Sequence, residues 1–117
     1  MHSFCHIELP ATNTQKASEF YSSLFGWPMN KMEDMDYYMF GTNDGKVYGG
    51  ISGVKSIHSD PAVCNYVEVA DINAILKKAE SLGAKTERPR TDLGGGMGFV
   101  AVFKDPQGYH LGVWSKN

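Results

Sequence analysis

The sequence is poor in cysteine, with two in 117 residues, Cys5 and Cys64. Two thiols do not make the disulfide framework of a small secreted domain, so a reduced, cytoplasmic setting is expected. No apolar run approaches the roughly 20 residues that a membrane-spanning helix needs. The opening Met1-His2-Ser3-Phe4 lacks the basic and apolar regions of a secretory signal, and no membrane partner is expected. Charge of one sign is scarce as well: the net charge is −2, and nothing marks a nucleic-acid binder. What is present is 42% hydrophobic, enough for one packed domain over residues 1–117.

The most informative stretch runs from Gly98 to Trp114. Gly98–Phe103 reads as a strand and Tyr109–Trp114 as its return. Between them Asp105-Pro106-Gln107-Gly108 is a turn, with Pro setting φ at the second position and Gly tolerating φ > 0. Alternation puts Leu111 and Val113 on a core face, and His110, Gly112 and Trp114 on the other. An imidazole, an indole and a gap at Gly112 suit a lined pocket.

Phe4–Leu9 alternates, with Cys5, Ile7 and Leu9 facing one way and Phe4, His6 and Glu8 the other. It reads as a half-buried strand closed by Pro10. Thr12 or Asn13 can cap the next helix, and Thr12 with Gln15 fits a capping box. Ala17, Phe20, Tyr21, Leu24 and Phe25 form its core stripe, and Gly26 ends it. Strand-like segments follow at 29–32, 37–41 and 47–52, with Asn43-Asp44-Gly45 as a hairpin turn. Gly49-Gly50 marks a bulge or a close approach to a ligand. Residues 56–61 read as a linker. The pattern then restarts. Val63–Val69 is a strand. Asp71 caps a helix with Ile72, Ile75, Leu76, Ala79 and Leu82 in register, ended by Gly83. Segments 85–88, 98–103 and 109–114 complete a second copy. The predicted fold class is α+β: two βαβββ modules, about 3–54 and 62–115, forming a cup-shaped eight-stranded mixed sheet. A concave site between repeats is the expected place for a small-molecule ligand.

His6-Ile7-Glu8-Leu9-Pro10, then Phe20-Tyr21 before Leu24-Phe25-Gly26-Trp27, and the closing Asp105-Pro106-Gln107-Gly108-Tyr109 carry a family resemblance. The chain resembles the vicinal oxygen chelate superfamily of glyoxalase I, bleomycin resistance proteins and extradiol dioxygenases. The resemblance implies paired βαβββ modules and a cup-shaped site, and it does not imply one reaction. It also implies that metal-using members take His and Glu ligands from the first and fourth strands of each module. Here His6 and Cys64 stand at the first-strand positions, with Asn65 in place of Cys64 if the register slips by one. The fourth-strand positions fall at Gly49 or Gly50 and at Gly112, which have no side-chain donor. A divalent metal wants about three or four protein ligands. No family-type metal site and no cofactor are therefore expected, with His6 and Cys64 as weak candidates and nothing in the spacing of Glu8, Glu68 and His110 that demands their help.

The expected ligand-binding residues are His6, Glu8, Tyr48, Tyr66, Glu68, His110, Gly112 and Trp114. Ordinary alternatives stand beside them. His6 also suits a hydrogen-bonding wall position, Cys64 a small buried hydrophobe, and Trp114 and Tyr48 simple packing. Glu8 and Glu68, at similar places in the two repeats, suit solvated strand ends. Gly94-Gly95-Gly96 is too far from a strand-to-helix turn to hold phosphate and reads as a flap beside the site. The expectation is a metal-free small-molecule-binding protein, functioning as a homodimer. The alternative is a glyoxalase-like lyase or isomerase on a small carbonyl compound, worked by His6, Glu8, His110 and Glu68.

Overall fold

The computed structural model describes residues 2–41 and 46–117, so the expected Asn43-Asp44-Gly45 turn lies outside the described residues. The chain divides into two compact units, Met1–Ile57 and His58–Asn117. The first contains β1 (Ile7–Ala11), α1 (Thr14–Phe25), β2 (Met29–Lys31), β3 (Tyr37–Gly41) and β4 (Val47–Gly53). The second contains β5 (Tyr66–Glu68), α2 (Ile72–Ser81), β6 (Lys85–Asp92), β7 (Phe99–Lys104) and β8 (His110–Ser115). The sheet orders are β1-β4-β3-β2 and β5-β8-β7-β6. In each sheet the first strand pairs parallel with the last and the others pair antiparallel. This is the expected α+β architecture, with the eight strands in two mixed sheets of four.

The helices start and stop for local reasons. Asn13 caps α1 by accepting the Lys16 N–H at 3.0 Å. The Gln15 side-chain amide donates to Glu19 at 3.4 Å. Gly26 closes α1 at φ 72°, in the left-handed region that glycine enters without a Cβ clash. Asp71 caps α2 through the Ala74 N–H at 3.0 Å. Ala17, Phe20, Tyr21 and Leu24 of α1 are buried with Leu9, Ala11, Phe40 and Ile51 of the first sheet. Trp27 lies flat on Phe40, with ring centroids 4.6 Å apart. Ile72, Leu76 and Ala79 of α2 are buried with Ala101, Phe103, Leu111 and Val113.

Several strand expectations need correction. β1 begins at Ile7, runs through Pro10 and ends at Ala11. It is an edge strand, where a residue without an N–H costs no ladder bond. Phe4 is fully exposed, Ile7 is 40% exposed and Cys5 is exposed, so the core face of β1 is Leu9 and Ala11. Gly49-Gly50 stands beside a bulge: both glycines pair in register with β1 and with β3, and the step from Phe40↔Gly49 to Gly41↔Val47 leaves Tyr48 of β4 as the extra residue. β5 is shorter than expected, and Val63, 77% exposed, lies in a turn onto the Asp60 carbonyl. β6 is longer, running to Asp92, and its two irregularities accommodate Glu87 and the Pro89-Arg90 pair on another edge strand.

Candidate functional site

In β1, Leu9 and Ala11 turn inward, so Glu8 leaves the opposite face. Its ladder partner is Gly50, which also pairs with Met39 of β3. The Tyr37 side chain crosses the sheet above Gly50, where an added Cβ would lie 2.1 Å from the phenol oxygen. That crossing needs a residue without a side chain. It carries the Tyr37 hydroxyl to Glu8, donating to Oε2 at 3.1 Å. The same oxygen lies 2.6 Å from His6 Nε2. With its own proton given to Glu8, the hydroxyl accepts from His6. The network thus assigns the His6 proton to Nε2 and leaves Nδ1 an acceptor. The His6 and Tyr37 rings are near parallel, at 17°. Burial, the hydrogen bond to Glu8 and the Glu8 charge push the Tyr37 phenol above its ordinary value, so it stays protonated at neutral pH. Tyr48 sits at the bulge of β4, two residues before Gly50, and is 47% exposed.

In the second unit, Leu111 and Val113 are fully buried, and His110, Gly112 and Trp114 share the other face as expected. The gap at Gly112 is not open. Tyr66 pairs with Gly112 across β5 and β8, and an added Cβ there would sit 2.4 Å from the Tyr66 ring. His110 is buried. The Ser59 hydroxyl accepts the His110 backbone N–H at 2.9 Å and lies 2.8 Å from Nδ1. Having taken one proton from the backbone, it gives its own to Nδ1, which leaves the imidazole proton on Nε2, 3.9 Å from Glu87. The Trp114 indole donates to the Met97 carbonyl at 2.9 Å and so ties the Gly94–Gly98 turn to β8.

Each unit therefore gathers part of the expected set: His6 with Glu8 in the first, and Tyr66 with Gly112, beside His110 and Trp114, in the second. The equivalence of Glu8 and Glu68 is corrected. Ile51 and Val113 are both wholly buried and each follows its glycine, so Gly50 and Gly112 are counterparts. Across the ladder Gly50 faces Glu8, and Gly112 faces Tyr66, while Glu68 pairs further along with Trp114. Sequence reading missed Tyr37, Ser59 and Glu87. Tyr37 had a signal, since alternation places it opposite the core residue Phe40. Ser59 sat in a presumed linker and had none.

The residues do not fit the family's metal. At both carboxylate positions a glycine stands under a tyrosine ring, so donor and space are missing together. His6 Nε2 is engaged by Tyr37. The Cys64 thiol donates to the Pro61 carbonyl at 3.3 Å, and burial and the Asp60 charge push its pKa up, away from the thiolate that binds metal. Among the described residues no three His, Cys, Asp or Glu side chains are grouped to hold an ion.

The raised values have a consequence at high pH. Tyr37 and Cys64 keep their protons to higher pH in the folded chain than in the unfolded one. Above the unfolded values the unfolded chain binds fewer protons at these two groups, so their contribution to stability is level below about pH 9 and is lost above it. Thermal unfolding from pH 7 to 11 should show that decline, with a shallower slope in Tyr37→Phe. An unchanged slope in Tyr37→Phe would contradict the assignment.

Two consecutive βαβββ modules with these faces define a class of protein before any relative is consulted. The chain belongs to the Glyoxalase/Bleomycin resistance protein/Dioxygenase superfamily, whose pattern it matches over residues 3–113. CFP32 of Mycobacterium bovis, which carries the provisional name of a glyoxylase, is 29% identical over 95% of this chain and 44% of its own length. The anthracycline biosynthesis protein DnrV of Streptomyces peucetius is 26% identical over 94% of this chain and 46% of its own. The chain thus spans about half the length of these curated relatives. Among solved structures, the fosfomycin resistance protein FosX of Listeria monocytogenes with Mn(II) and sulfate superposes with a TM-score of 0.80 at 14% identity, over 98% of this chain and 90% of that one. Identity that low establishes the fold alone.

Proposed function

We propose that this chain binds a small organic molecule without the family's metal. One observation carries the reading: at the two carboxylate positions, Gly50 and Gly112, an aromatic ring lies where a ligating side chain would start. Rings and hydrogen-bonding groups on a sheet face serve recognition of an organic ligand. The residues that serve it are His6, Glu8, Tyr37 and Tyr48 in the first unit, and Tyr66, His110, Gly112 and Trp114 in the second. A second reading has its own support. The hydrogen-bonded series His6–Tyr37–Glu8 pairs a proton donor with a carboxylate, the equipment of a metal-independent lyase or isomerase.

A thermal-shift screen of a small-molecule library in the presence of EDTA tests the main reading. Hits that stabilise the protein equally with EDTA and with added Mn²⁺ or Zn²⁺ are expected. Hits that appear only with metal would overturn it. For the second reading, a carbonyl hit that exchanges its α-hydrogen in D₂O only with the wild-type protein is the expected signature, and exchange that persists in Tyr37→Phe would remove Tyr37 from it.

A further inference from the structure

The polar groups around Tyr37 have a direction. The Tyr37 O–H is spent on Glu8, and the His6 Nε2–H is spent on the Tyr37 oxygen. What is left over is acceptor only: Oε1 of Glu8 and Nδ1 of His6. Neither side chain makes any other hydrogen bond among the described residues. The ammonium of Lys31, on β2 of the same sheet, lies on the Met32 and Met35 carbonyls. A carboxylate or phosphate brought to this spot would meet the Glu8 charge and find no free donor on His6 or Tyr37. A cationic N–H group meets the opposite: a carboxylate oxygen and an imidazole nitrogen, both unsatisfied, beside ring faces that attract cations.

The apolar part of the ligand is also specified. The Tyr37 ring is held in place over Gly50 by hydrogen bonds at its tip, so little rotamer freedom remains to be lost on binding. The His6 ring runs near parallel to it, and Tyr48, at the bulge of β4 two residues before Gly50, is half exposed. A flat ring bearing an amine or amidine can rest on these rings while its N–H groups reach Glu8.

We infer that the Glu8–Tyr37–His6 face selects small molecules carrying an ammonium or amidinium group on an aromatic body. The inference rests on the small-molecule reading above and names the ligand class for its first-unit residues. It assigns Tyr37 a positioning role: the phenol holds the Glu8 carboxylate and the His6 tautomer, and it offers its ring to the cation.

Benzamidine and benzylamine are the probes, with benzoate and benzyl alcohol as anionic and neutral matches. Binding is read by chemical-shift titration of the ¹⁵N-labelled full chain at low salt. Benzamidine should shift the amides of residues 6–8, 37–39 and 48–50, and benzoate should not. Glu8→Gln, which keeps the shape and the Tyr37 acceptor, should weaken benzamidine at least ten-fold. Glu19→Gln, an exposed carboxylate on α1, should leave it unchanged. Tyr37→Phe should weaken it less than Glu8→Gln does, and raising the salt should weaken the wild type towards Glu8→Gln. Equal shifts with benzoate or benzyl alcohol, no benzamidine shifts at this face, or full benzamidine affinity in Glu8→Gln would each overturn the inference. If these probes fail while other compounds still stabilise the protein in EDTA, the ligand class falls and the small-molecule reading stands.

Discussion

Gly49→Ala is expected to destabilise the fold by about 3 kcal/mol or more, the upper end of what overpacking does. A Cβ at this position would lie 1.8 Å from the Ile7 carbonyl oxygen and 2.8 Å from its carbon. Both are backbone atoms, and no rotamer change moves them. The third neighbour is the Phe40 ring at 2.9 Å, which is buried against Trp27. The alanine can enter only if β1 parts from β4, which is its one strand partner among the described residues. The same substitution restricts the unfolded chain and by itself would stabilise by about 0.4–1 kcal/mol. A large net loss therefore measures the contact. Gly50→Ala makes the internal comparison. Its clash is with the Tyr37 side chain alone, which can swing away, so the fold should lose less while the His6–Tyr37–Glu8 series is broken. Urea unfolding of both variants checks this. Equal losses, or a Gly49→Ala as stable as wild type, would contradict the register of β1 on β4.

The second large effect is at Gly112. From the sequence, Gly112→Leu fills an open cavity and leaves the fold nearly intact. The structure puts the Tyr66 ring there, so leucine must expel it, at a cost of about 1–3 kcal/mol. Tyr66 is 49% exposed and belongs to a three-residue edge strand, so the ring can turn outward and the damage stays within β5. The double variant Gly112→Leu/Tyr66→Ala should recover most of the loss, so that its total loss is smaller than the sum of the two single losses. Additive losses would mean that the ring does not sit over Gly112. Ligands that stack on Tyr66 should lose affinity in Gly112→Leu and in Tyr66→Ala alike.

These two glycines show how far the sequence can be read. Period and punctuation were enough for the architecture. The caps Asn13 and Asp71, the left-handed Gly26 and the Asp105–Gly108 turn act through neighbours in the chain, so local rules find them. The Asp105 carboxylate takes the N–H groups of Gln107 and Tyr109 at 2.9 and 3.0 Å, all within five residues. The faces of β8 were legible because alternation is a property of one strand. What fills a face was not, because that depends on ladder partners. The gap at Gly112 is real in the chain and closed in the fold, since Tyr66 arrives from 46 positions earlier by the register of β5 on β8. Gly49-Gly50 resembled a bulge because two glycines weaken a strand. A bulge does fall beside them, at Tyr48, and the two glycines are the places where the Ile7 backbone and the Tyr37 ring come close. Pro10 resembled a strand end because the edge position that tolerates it is a fact of sheet order. Tyr37, Ser59 and Glu87 reach their imidazoles from 31, 51 and 23 residues away, and no spacing rule joins them.

The central proposal is that these residues hold no family-type metal. Elemental analysis of the purified protein, followed by titration with Zn²⁺, Ni²⁺, Mn²⁺ and Fe²⁺, tests it most directly. The prediction is well under one equivalent of any of these ions after purification, and no saturable stoichiometric site on titration. About one tightly held ion per chain, lost in His6→Ala, would contradict it.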